Sequence, residues 1–145
     1  MQEIKILIVE DEIIIANDIS LSLSMRGFKQ IGLAHSSEEA IKKIFCKKPD
    51  LVLMDINLGG GTDGIDVAEV INRNTDIPVI FMTGNTDSVT LDRLRKIKYA
   101  GLLIKPFIIE NLSDLISNVI QEKIKSGKSK STFTGKHTLF TAAVF

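Results

Sequence analysis

Four short apolar runs in the chain each stop at a polar residue with useful chemistry. Ile6-Leu7-Ile8-Val9 ends in Glu10-Asp11, and Leu51-Val52-Leu53-Met54 ends in Asp55. Val79-Ile80-Phe81-Met82 ends in Thr83, and Leu102-Leu103-Ile104 ends in Lys105. Near-continuous apolar runs of this length are the mark of parallel strands buried on both faces. A fifth, more polar run from Phe28 to Ala34 reads as an edge strand.

Helical patterns separate the strands. Ile15, Ile19 and Leu23 mark a first helical face that stops near Arg26-Gly27. Ser36 and Ser37 offer N-caps, and Glu38 and Glu39 follow in the first turn, where the helix dipole favours acids. Ala40, Ile41, Ile44 and Phe45 form the stripe of that second helix, and Pro49-Asp50 ends it. Ile65, Val67, Ala68, Val70 and Ile71 mark a third helix, after a glycine-rich loop running from Asn57 to Gly64. A fourth is expected from Ser88 to Lys98, with Leu91 and Leu94 inward and Arg93, Arg95 and Lys96 exposed. The last runs from Glu110 to Lys125, with Leu112, Leu115, Ile116, Val119 and Ile120 inward.

Five βα units predict an α/β fold with a doubly wound five-stranded parallel sheet. Right-handed crossovers and a central first strand give the order 2-1-3-4-5, with a crevice at the switch between strands 1 and 3. Glu10, Asp11 and Asp55 fall at that crevice. Adjacent carboxylates repel unless a cation joins them, and Mg²⁺ favours such oxygen donors. Thr83 and Lys105 suit an oxyanion, so the set reads as Mg²⁺-assisted phosphoryl chemistry with Asp55 as the nucleophile. Pro106, directly after Lys105, suits a cis peptide bond.

Composition narrows the alternatives. With 145 residues, 44% of them hydrophobic and 25% charged, the chain suits one globular domain. No apolar stretch approaches a membrane span, and the start lacks a signal-peptide pattern. The single Cys46 lies in a helical pattern, reads as a small buried apolar residue, and fits a reduced cytoplasmic setting. Zero net charge conceals −3 over residues 1–125 and +3 over the last twenty, which is no nucleic-acid footprint. Residues 1–125 are therefore expected to form the domain. Residues 126–145 read as a short basic and apolar tail, disordered or loosely packed.

Val9-Glu10-Asp11-Glu12, Leu51-Val52-Leu53-Met54-Asp55, Met82-Thr83-Gly84 and Lys105-Pro106-Phe107 resemble the motifs of response-regulator receiver domains from two-component signalling. The match covers about residues 3–125, and the ordered set is highly specific. The resemblance implies a flavodoxin-like receiver fold. It also implies that Asp55 accepts phosphate from the phosphohistidine of a sensor histidine kinase or phosphotransfer protein. Mg²⁺ would be held by Asp11, Asp55 and the Asn57 backbone carbonyl with support from Glu10, while Thr83 and Lys105 bind the phosphoryl group. Output would pass to a downstream protein through a surface of helix 4, strand 5 and helix 5, which also offers a route to homodimers.

Three departures from the pattern stand out, the mildest being Glu10 rather than Asp as the first acid, a variation the family tolerates. Leu102 occupies the position, three residues before Lys105, where the family carries a switching aromatic. Gly59-Gly60-Gly61 replace a proline-bearing loop and make it one residue longer. Two other readings compete. An aspartyl phosphatase would place its nucleophile on the first strand with a second acid two residues later, whereas Asp55 is on the third and precedes Asn57. A phosphorylation-independent scaffold would not need usable groups at all five site positions.

Overall fold

The computed structural model describes residues 3–84 and 86–129. Five strands, β1 (Lys5–Val9), β2 (Gln30–Ala34), β3 (Leu51–Asp55), β4 (Val79–Thr83) and β5 (Gly101–Ile104), form one sheet. Every pairing is parallel and the order is β2-β1-β3-β4-β5, as the alternating pattern predicts. Among the described residues, five helices connect and follow the strands: α1 (Ile13–Ser24), α2 (Ser37–Lys47), α3 (Gly64–Asn74), α4 (Ser88–Leu94) and α5 (Ile109–Ser129).

Alternation along each strand divides the core into two layers. Leu7, Val9, Val52, Met54, Phe81 and Leu102 face α2, α3 and α4. Ile6, Ile8, Leu51, Leu53, Ile80, Met82 and Leu103 face α1 and α5. The five α5 residues expected to point inward are all buried. With helices on both faces, the C-terminal ends of β1, β3, β4 and β5 are left to converge along one edge.

Several local expectations are corrected. The regular helix of α4 ends at Leu94, not Lys98, because its last turn tightens: Lys96 N–H bonds Arg93 O and Ile97 N–H bonds Leu94 O. β2 begins at Gln30 because Gly27, at φ 99°, turns the chain and Phe28 N–H bonds back to Leu23 O. Phe45 and Cys46 are exposed, since the buried stripe of α2 runs through Ala40 and Ile44 and leaves the next two positions facing outward. α5 continues to Ser129, four residues past the expected end, and the tail from residue 130 lies outside the described residues. The Lys105–Pro106 bond is cis, as expected.

Candidate phosphoacceptor site

Each site residue occupies the end of a strand or the position just after it. β1 pairs with β2 one step beyond its last residue, through Glu10 N–H to Ala34 O at 2.9 Å. That pairing fixes the Glu10 backbone and directs its side chain into the protein, where it is 1% exposed. Glu10 Oε2 accepts from Glu12 N–H at 3.2 Å, and Oε1 accepts from Lys105 Nζ at 2.7 Å. Asp55 closes β3 and is 6% exposed. Its Oδ1 accepts from Asn57 N–H at 3.2 Å and its Oδ2 from Lys105 Nζ at 3.2 Å.

Lys105 follows β5, and its N–H donates to Thr83 O at 2.8 Å, which ties the ends of β4 and β5 together. The Thr83 side chain, 2% exposed, stands at the same edge. Asp11 is exposed at the rim, and one carboxylate oxygen each from Glu10, Asp11 and Asp55 lies within 4.8 Å of the others.

The electrostatics follow from this crowding. Burial alone would lower the affinity of Lys105 for its proton, but the Glu10 hydrogen bond and the Asp55 and Glu10 charges outweigh it. The net direction is upward, so the ammonium stays charged at neutral pH. Asp11 is pushed above its ordinary value by desolvation, by a hydrogen bond with Glu10 and by repulsion from it. One ammonium against three carboxylates leaves a formal surplus of negative charge. A bound cation would offset that surplus, and an all-oxygen donor set without His or Cys suits hard Mg²⁺.

The structure thus brings Glu10, Asp11, Asp55, Thr83 and Lys105 to one edge, with the Asn57 N–H on Asp55. Leu102 lies one layer below, buried on the α4 side of the sheet and paired in register with Phe81. Phe81 in turn packs edge-on against Tyr99, with ring centroids 5.6 Å apart.

Three residues escape sequence reasoning. His35 Nδ1 lies 3.0 Å from Glu10 O, and nothing in its local sequence marks it for that role. Gly64 N–H bonds Ile56 O at 2.7 Å and sits so close to β3 that a Cβ there would stand 2.1 Å from Asp55 O. Its place at the start of a helix, after Asp63, is a signal that could have marked it. Arg93, expected to be exposed, instead reaches across to Asp63 and Asp66.

A five-stranded 2-1-3-4-5 sheet with an acidic pocket and a lysine at its carboxyl edge defines a doubly wound α/β domain with its candidate site at the switch in strand order. The family model of the response regulator receiver domain matches residues 6–117, and the chain belongs to that family. It is similar to the transcriptional regulatory protein PdtaR of Mycobacterium tuberculosis, 33% identical over 108 residues, covering 74% of this chain and 52% of that protein. Similarity to the phyllosphere-induced regulator PhyR of Methylorubrum extorquens is 36% over 118 residues, covering 80% of this chain and 43% of the other. The chain therefore spans about half the length of the curated relatives it matches.

Among solved structures, the signal receiver domain of a modulated diguanylate cyclase from Desulfovibrio desulfuricans G20 superposes with a TM-score of 0.80. It is 30% identical, with 86% of this chain and 99% of that one covered. Receiver domains are phosphoacceptor switches that work with histidine kinases or phosphotransfer proteins and bind Mg²⁺ at an acidic pocket. Among the described residues, no helix is long and apolar enough to cross a membrane.

Proposed function

We propose that this domain accepts a phosphoryl group on Asp55 from a phosphohistidine and converts that event into a changed protein-binding surface. The observation that carries this reading is the Lys105 ammonium, which reaches from β5 to both Glu10 and Asp55 beside an acidic rim. In the transfer, an Asp55 carboxylate oxygen bonds to phosphorus as the phosphorus–nitrogen bond breaks, and the electron pair returns to the imidazole. Lys105 neutralises charge on the phosphoryl oxygens, and the Thr83 hydroxyl donates to another of them. Glu10, Asp11, Asp55 and the Asn57 carbonyl would hold Mg²⁺, which supplies further charge neutralisation when bound.

α1 exposes Ile13 and Ile14 at its start and Leu21 further along, and its C-cap residue Met25 is exposed as well. An apolar stripe beside an acidic pocket fits docking of a helical kinase or phosphotransfer partner. Residues 1–125 form the acceptor unit in this reading, acting in the cytoplasm without contacting nucleic acid directly. Output passes through the face of α4, β5 and α5, to a downstream protein or to a second copy of the domain. With Leu102 in the core where the family carries an aromatic, switching relies on packing beneath α4 rather than on a rotating ring.

Intact mass tests the acceptor step. With Mg²⁺ and a small acyl phosphate donor, the protein gains one phosphoryl group and the Asp55→Asn variant gains none. An unlabelled parent under conditions that label other receivers would overturn the reading.

A further inference from the structure

α3 begins hard against the acceptor strand. Gly64 N–H bonds Ile56 O at 2.7 Å, and Gly64 lies in direct contact with the Asp55 backbone. The preceding residue, Asp63, caps the helix by accepting from Asp66 N–H at 3.0 Å, and Asp66 returns a bond to Asp63 N–H at 3.0 Å. This capping box is gripped from outside by Arg93 of α4. Arg93 Nη1 and Nη2 donate to Asp63 at 2.5 and 3.1 Å, and Nη2 also donates to Asp66 at 3.2 Å. A planar guanidinium held at both ends fixes direction as well as distance.

α4 itself buries little. It is seven residues long, and Leu94 is its one buried side chain, with Leu91 partly buried. The three bonds from Arg93 tie this thinly buried helix to the start of α3. They end on residues that share backbone with the loop leaving Asp55. Asp63 thus stands between the β3–α3 junction and Arg93.

We propose that Arg93 is a positioning residue, and that its clamp on Asp63 and Asp66 transmits phosphorylation of Asp55 to α4. The proposal rests on the acceptor reading above. A protein that lacked the clamp would still take up phosphate, since Arg93 touches no pocket group, but α4 would no longer respond.

Amide hydrogen exchange over residues 88–98, measured with and without Mg²⁺ and a small acyl phosphate donor, tests this directly. In the parent, phosphorylation is expected to change exchange in α4 by roughly fivefold or more, the lower range of ordinary site-to-site coupling. Arg93→Ala is expected to gain the same phosphoryl mass while the α4 change shrinks below about twofold. Arg93→Lys, which keeps the charge and loses the fork, falls between. Asp63→Asn keeps a capping oxygen and weakens only the grip, so it repeats the test should Arg93→Ala fold poorly. A merely stabilising role would lower the thermal midpoint and leave the phosphorylation-dependent change intact. Full phosphorylation with an undiminished α4 change in Arg93→Ala and Asp63→Asn overturns the clamp alone, as does a labelled parent whose α4 does not change. No mass gain in the parent overturns the acceptor reading and the clamp with it.

Discussion

Replacing Gly64 with alanine puts a methyl carbon 2.1 Å from Asp55 O, 2.8 Å from Met54 Cγ and 3.0 Å from Asp55 C. Two of those atoms belong to the backbone of a central strand paired on both sides, so they cannot step aside. Relief requires the start of α3 to move away from β3. Ile65, Val67 and Ala68 are fully buried in the layer behind it, so that movement opens gaps in the core.

Overpacking of this kind costs roughly 1–3 kcal/mol and sometimes more. Alanine returns at most about 1 kcal/mol through helix propensity. With a contact this short the upper range applies, and the expected net loss is about 2 kcal/mol. For a domain near this size that is a fall of about 4–8 °C in the thermal midpoint. Urea unfolding followed by circular dichroism measures it, with an unchanged m-value showing that the denatured state is unaffected. Gly61→Ala is the control, because a Cβ there meets nothing within 4 Å, and its change should stay within about 0.5 kcal/mol. A Gly64→Ala protein as stable as that control would refute the close approach of α3 to the acceptor strand.

Other expectations follow from the same geometry. Lys105→Ala abolishes phosphoryl labelling and costs about 1–3 kcal/mol in urea unfolding, because Glu10 keeps a buried oxygen without its partner; labelling at the parental rate would contradict this. Mg²⁺ should raise the unfolding free energy by about 2.7 kcal/mol at one hundred times its dissociation constant, and Asp11→Asn should remove most of that gain. Burial pushes the Asp63 carboxyl up, but hydrogen bonds from Arg93 and Asp66 N–H, with the Arg93 charge, hold it below its ordinary 3.8 overall. The unfolded chain then binds this proton at a higher pH than the folded one, so the stabilisation is present above 3.8 and fades as pH drops below it. The stability of Asp63→Asn should accordingly fall less steeply in that acid range than that of the parent.

The parallel sheet and its order were legible because four apolar runs have a length and continuity that few other structures allow. The pocket was legible because its groups sit at strand ends, where topology alone brings them together. Local patterns were weaker where tertiary contacts decide. Lys96 and Ile97 continue a helical pattern, yet their i→i−3 bonds end the regular helix of α4 early. Arg93 looked like a solvated charge because its partners, Asp63 and Asp66, lie about thirty residues away and meet it only once the sheet is assembled. His35 was invisible for the same reason, since its contact is with a backbone carbonyl on another strand. Cys46 and Phe45 show the limit of periodicity: one residue of phase on α2 decides which side chain meets solvent.

The identity of the phosphorylated atom tests the central claim most directly. An acyl phosphate on aspartate is reduced by borohydride to homoserine, which peptide mass spectrometry can locate. After treatment with Mg²⁺ and a small acyl phosphate donor, the account predicts homoserine at position 55 and at no other acidic residue. Homoserine at Asp11, the longer 2-amino-5-hydroxypentanoic acid at Glu10, or neither product anywhere in a protein that carries added phosphate, would contradict it.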